Sequence, residues 1–254
     1  MITGLYASAS GAVADFRRQM VVINNLANVS TSGYKQEVTE LSEFSNLLMV
    51  EGAGASMGAP SAHGLIGPLG TGTELVDVEL DLTQGDLQET GNELDLAITG
   101  PGFFAVQTET GVYYTRDGTF YRDALGRLTR ADGGLLLGEN GPITVGEGLI
   151  LVDADGTVSV GDQVAGRIRL VDFDPQERLL SLGNNYLIAE NPGAQPRPAD
   201  QAAINQGFLE RSNVDAARAS VEMLAAMRSY EACLKMIQLQ DQTLASAVSE
   251  VGQV

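Results

Sequence analysis

This chain has little of what most enzymes and extracellular domains rely on. Its 254 residues include one cysteine, Cys233, one histidine, His63, and no tryptophan. A single cysteine excludes an intramolecular disulfide. One His with one Cys excludes a structural zinc site built from several such ligands. His63 lies in a Gly- and Pro-rich stretch with no acid nearby to orient it, so a catalytic role for it is disfavoured. Basic residues are scarce: 15 Lys and Arg stand against 33 Asp and Glu, a formal charge of −18. Such a chain is repelled by nucleic acid and by anionic lipid. No apolar run approaches the ~18 residues that a membrane helix needs, and the N-terminal stretch shows no basic segment ahead of an apolar core, so no cleavable secretory signal is expected. No Gly-Lys-Ser/Thr occurs, which excludes a P-loop. Asp153, Asp155 and Gly156 resemble part of a calcium loop, but the remaining acidic ligands are missing and a turn is the better reading.

What is present is order at both ends. Leu5, Ala9, Ala12, Phe16, Met20, Ile23 and Ala27 step by three or four residues, one narrow apolar stripe on a helix. Val214, Ala217, Val221, Leu224, Met227, Tyr230, Leu234, Ile237, Leu244, Val248 and Val251 repeat the spacing near the C-terminus, and no Gly or Pro falls between Asn213 and Glu250. That length predicts a coiled-coil-like helix, with Ser212 to Asp215 supplying cap residues. Between the ends, VDVELDL and ELDLAI alternate in polarity. The pairs Asp117-Gly118, Asp132-Gly133 and Asp155-Gly156 signal hairpins, because Asp and Gly tolerate positive φ. The fold class is therefore α+β: a central antiparallel β domain flanked by N- and C-terminal helices that pair in a coiled-coil-like bundle, with each other or with other copies. The expected divisions are 1–40 (helix and turn), 41–74 (flexible linker), 75–190 (β domain), 191–205 (Pro-rich linker) and 206–254 (helix).

Four blocks carry a resemblance. NNLANVSTSGYKQ (24–36) resembles the N-terminal signature of the bacterial flagellar rod and hook proteins, with Tyr34 where Phe is usual. NELDLAITGPGFFAVQ (92–107) and YTRDGTF (114–120) are similar to the family's central signature and the hairpin that follows it. QGFLERSNVDAARASVEMLAAMRSYEACLKMIQ (206–238) resembles its C-terminal signature. The compact middle is most like the minor rod subunit adjoining the distal rod, with the distal rod subunit as the alternative.

The resemblance implies a structural, non-enzymatic subunit without cofactor or metal, exported through the flagellum's own type III apparatus without a cleaved signal to the periplasmic part of the basal body. It implies self-association and contact with other axial proteins, and neither nucleic-acid binding nor membrane insertion. The residues expected at the assembly interface are Leu5, Phe16, Ile23, Asn24, Asn25, Leu26, Asn28, Gly33, Tyr34, Val214, Val221, Leu224, Tyr230, Leu234 and Ile237. Asn28 and Gly33 are expected to form the turn after the first helix, with Tyr34 and Lys35 anchoring its exit. Two readings from other classes stand beside this one: a β-domain adhesion or binding module, and an enzyme using paired carboxylates.

Overall fold

A computed structural model describes residues 2–43, 47–50, 65–69, 73–161, 163–199 and 201–251. His63 and most of the Gly-rich stretch 51–73 lie outside the described residues. The chain forms two compact units. The first comprises Met1–Asn24, Thr39–Val78 and Ala217–Val254, and the second Asn25–Val38 and Glu79–Ala216.

Helix α1 spans Ile2–Ala27 and helix α2 spans Ala216–Val251. Within the first unit they pair antiparallel. A Cβ added at Gly4 would stand 3.1 Å from Nε2 of Gln240, and one at Gly11 would stand 3.3 Å from Sγ of Cys233. Farther along, Ser229 donates to Asp15 at 2.5 Å, and the rings of Phe16 and Tyr230 are 6.2 Å apart. Small residues thus bring the helices close. The burial differs from the single stripe read along the sequence. Ala12, Ala14 and Val22 are buried, whereas Phe16, Met20 and Ile23 of the expected stripe are exposed. The spacing of apolar residues is the same whether a face covers a neighbouring helix or waits for another chain, so periodicity alone could not separate the two. The span read as a linker carries two antiparallel strands, Leu47–Val50 and Leu65–Leu69. The short apolar run LLMV was the signal, masked by the Gly-rich composition beside it. Strand Glu37–Glu43 pairs with Thr73–Leu80.

The second unit is antiparallel β. Its main sheet runs, in spatial order, Leu179–Gly183, Tyr186–Ala189, Val112–Thr115, Phe103–Gln107, Leu135–Gly138, Leu128–Thr129 and Tyr121–Arg122. A three-stranded sheet comprises Ile150–Val152, Thr157–Val160 and Gln163–Arg167. Leu96, Ile98, Phe104, Phe120, Leu128, Leu136, Val158 and Ile204 form the main core, with Phe104 edge-on to Phe120 at 5.3 Å. Strand formation continues past 190. Arg197–Pro198 pairs with Leu170–Asp172, Ala203–Gln206 with Leu96–Thr99, and Phe208–Glu210 with Leu87–Glu89. The Pro-rich connector and the start of the segment read as helix therefore close the β unit, and α2 begins only at Ala216. Proline sits in the short strand Arg197–Pro198, which has a single partner, where a missing N–H costs little.

Two Asp-Gly pairs make the expected hairpins. Gly133 and Gly156 both have φ +88 between paired strands. Asp117-Gly118 does not. A Cβ at Gly118 would lie 1.6 Å from the carbonyl oxygen of Leu96, and its own carbonyl accepts from Leu96 N at 3.0 Å. Close approach to the Leu96 backbone, not turn geometry, requires this glycine. A tight turn that went unread is Asn184-Asn185, with φ of 50 and 58, joining Leu179–Gly183 to Tyr186–Ala189.

Candidate functional site

The stretch after α1 folds inward. Asn25 lies in the last turn of the helix and is buried. Its Oδ1 accepts from Tyr34 Oη at 3.0 Å and from Glu37 N at 2.9 Å, while its Nδ2 donates to Glu37 O at 2.7 Å. One asparagine therefore closes the whole loop from 25 to 37. Gly33 adopts φ +66 and donates its N–H to Glu210 O at 2.7 Å. A Cβ there would stand 2.3 Å from Asp117 N. Gln36 N donates to Asn213 Oδ1 at 2.7 Å, and Asn213 Nδ2 donates to Asp81 O at 2.8 Å. The Asn184-Asn185 turn reaches the same stretch, where Asn185 Nδ2 donates to Ser32 O at 2.8 Å.

At the centre sits a buried ion cluster. Glu210 is 1% exposed, and Lys35 and Arg116 are each 4% exposed. Lys35 Nζ lies 2.6 Å from Glu210 Oε1, and Arg116 Nη1 lies 3.2 Å from Glu210 Oε2. The remaining hydrogen-bonding capacity is largely used. Lys35 donates to Thr83 O at 2.7 Å, Arg116 Nη2 donates to Gly100 O at 2.6 Å, and Gly85 N donates to Glu210 Oε1 at 3.0 Å. Burial pulls the Lys35 and Arg116 pKa values down, and the Glu210 charge works against that shift in both. Two cations on one carboxylate in a dry site make Glu210 the group on which the other two depend.

Tyr34 is held protonated well above the ordinary tyrosine range, first by burial and then by Glu37. Burial and the hydrogen bond to Asp132 push Tyr186 up to about 12. A raised folded pKa favours folding fully below the unfolded pKa, ~10 for tyrosine, and this contribution disappears as pH rises through the folded value. Alkaline unfolding is therefore expected to set in above pH ~10 and to be advanced by ionisation of these two phenols. Absorbance at 295 nm should show both titrating above the ordinary tyrosine range, and Tyr34→Phe should remove its share of the pH dependence.

The structure divides the residues expected at the interface. Asn25, Gly33, Tyr34 and Val214 are buried inside the chain. Phe16, Ile23, Asn24, Val221, Leu224 and Leu234 are exposed. Leu5, Leu26, Asn28, Tyr230 and Ile237 are half-buried, and Phe16 and Tyr230 are in ring contact. Exposed apolar side chains extend the helix surfaces beyond that set, with Tyr6 and Met20 on α1 and Met236, Leu239 and Val248 on α2. Glu210, Arg116 and Asn213, the partners that fix the loop, were absent from the expected set. Their signal was a charged or amide residue held inside two separate motif blocks, Arg116 in 114–120 and Glu210 and Asn213 in 206–238.

A helix pair bearing large apolar side chains at its surface, with a β unit locked by one internal polar cluster, defines a structural subunit of an assembly. The comparisons with known proteins agree. A family model described as "Flagella basal body rod protein" matches residues 5–35, one described as "Flagellar hook protein FlgE/F/G D1 domain" matches 97–160, and one described as "Flagellar basal body rod FlgEFG protein C-terminal" matches 205–250. The chain is 33% identical to the flagellar basal-body rod protein FlgG of Bacillus subtilis, over 98% of this chain and 99% of that one. It is 34% identical to FlgG of Buchnera aphidicola subsp. Schizaphis graminum, over 96% and 98%. It is 33% identical to the rod protein FlgF of Caulobacter vibrioides, over 100% of both. The chain belongs to the flagellar basal-body rod protein family, as a structural subunit of distal-rod-like kind. Each matched segment contributes one member of the ion cluster: Lys35, Arg116 and Glu210.

Proposed function

We propose that this subunit polymerises axially through its terminal helices to form part of the drive shaft for flagellar motility. The observation that carries this reading is the exposure of Phe16 (50%), Val221 (67%) and Leu224 (53%) on helices already paired with each other. Clustered apolar surface of this kind marks an interaction site on a soluble chain. In this reading the faces are covered by other copies and by other axial proteins of the basal body, and the helices gain their full stability only there, where burial of each large apolar side chain contributes ~1.5–3 kcal/mol. Likeness to the family supports export through the flagellar type III apparatus and a place in the periplasmic rod.

Phe16→Asp combined with Val221→Asp is the direct test. The purified variant should keep the native circular dichroism spectrum. Cells carrying it in place of the native chain should lose swimming and yield basal bodies with incomplete rods. Normal rods containing the variant would overturn the proposal.

A further inference from the structure

The β unit also holds a groove of about 400 Å³, within the ~300–1,000 Å³ range of ligand sites. Three arginines line it: Arg167 and Arg169 from one extended run, and Arg197 from the strand paired with Leu170–Asp172. Ile168, between the first two, is buried while its neighbours are exposed, so Arg167 and Arg169 project from the same side of the run. This concentration of guanidinium groups stands out in a chain of charge −18. The groove's own carboxylates are Glu139 and Asp155. Arg167 Nη1 lies 3.3 Å from Glu139 Oε1, its Nε donates to the Asp155 carbonyl at 2.9 Å, and Arg197 lies 2.6 Å from Asp174. Both ion pairs are about half exposed, and solvent-exposed pairs of this kind hold by only ~0.2–1 kcal/mol, so an incoming carboxylate can replace them. The rest of the lining is apolar: Ile168, Leu170, Val171, Pro196, Pro198, Ala199 and Ala202.

We infer that this groove docks a carboxylate-rich peptide segment of another protein. Arginine forks bind carboxylates in two-point fashion, which a lysine cannot copy. The apolar wall suits the methylene stems and backbone of a peptide. A single small anion would leave most of the volume empty.

The test uses the full chain and a fluorescent hexaglutamate peptide, read by anisotropy, with a hexaserine peptide as control. Hexaglutamate should bind at 50 mM salt and several-fold more weakly at 200 mM, because exposed charges are screened. Arg167→Glu with Arg197→Glu should weaken binding roughly tenfold, since each change replaces an attraction with a repulsion. Arg169→Gln, a milder change that leaves the strand pairing untouched, should weaken it two- to threefold or so. Arg228→Glu, on α2 and not among the residues that line the groove, should leave it unchanged. Absence of binding by the native chain, equal binding of hexaserine, or equal loss in the Arg228→Glu variant would each overturn the assignment.

Discussion

Glu210→Leu should lower the stability of the β unit by about 3–5 kcal/mol, the usual cost of breaking a buried ion pair on one side only. The reason is stoichiometry. Glu210 is the carboxylate that meets both Lys35 and Arg116, and all three are nearly inaccessible to water. Without it, two positive charges face each other in a dry site, and Gly85 N loses its acceptor. Glu210→Gln keeps the shape and one acceptor but not the charge, and should recover only a minor part. Lys35→Met should cost less than either, because Arg116 continues to neutralise Glu210. The double variant Lys35→Met/Glu210→Leu should then be less unstable than the sum of the two changes, the mark of a shared network. Urea unfolding of the full chain, followed by tyrosine fluorescence because tryptophan is absent, reads these differences as shifts in midpoint. A Glu210→Leu midpoint equal to the native one would show that the cluster contributes nothing.

Gly33→Ala should be nearly as damaging, at about 2–5 kcal/mol, from two independent causes. The residue holds φ +66, which costs a side-chain-bearing residue ~1–2 kcal/mol. Its new Cβ would also stand 2.3 Å from Asp117 N and 2.4 Å from the Arg116 carbonyl carbon, so backbone must move, at a further ~1–3 kcal/mol. The shift would pull Arg116 from Glu210. Gly133→Ala is the control. It has φ +88 with nothing within 4 Å of a Cβ, and should cost only the conformational part, ~1–2 kcal/mol. Equal midpoints for the two variants would mean that the close packing around Gly33 is energetically irrelevant.

Both predictions concern the stretch NNLANVSTSGYKQ, and they show what could be read there. Its turn residues, the end of a helix, and the anchoring role of Tyr34 and Lys35 were all legible. Of the expected interface set, Asn25, Gly33 and Tyr34 are buried inside the chain, and the exposed apolar positions lie earlier on α1 and along α2. The hairpin signals had a similar fate. Asp132-Gly133 and Asp155-Gly156 turn as their local chemistry dictates, while Gly118 is required by Leu96, a residue 22 positions away in sequence.

The sequence by itself determined the class, the two long helices, the β character between them and the family, because these rest on local periodicity and on short motifs. Only the tertiary structure decided that Lys35, Arg116 and Glu210 meet, that residues 197–210 complete the β unit, and which helix faces remain open. Those outcomes depend on contacts between residues far apart in the chain. Spacing along a strand or helix fixes which side chains share a face, but carries no record of what that face meets.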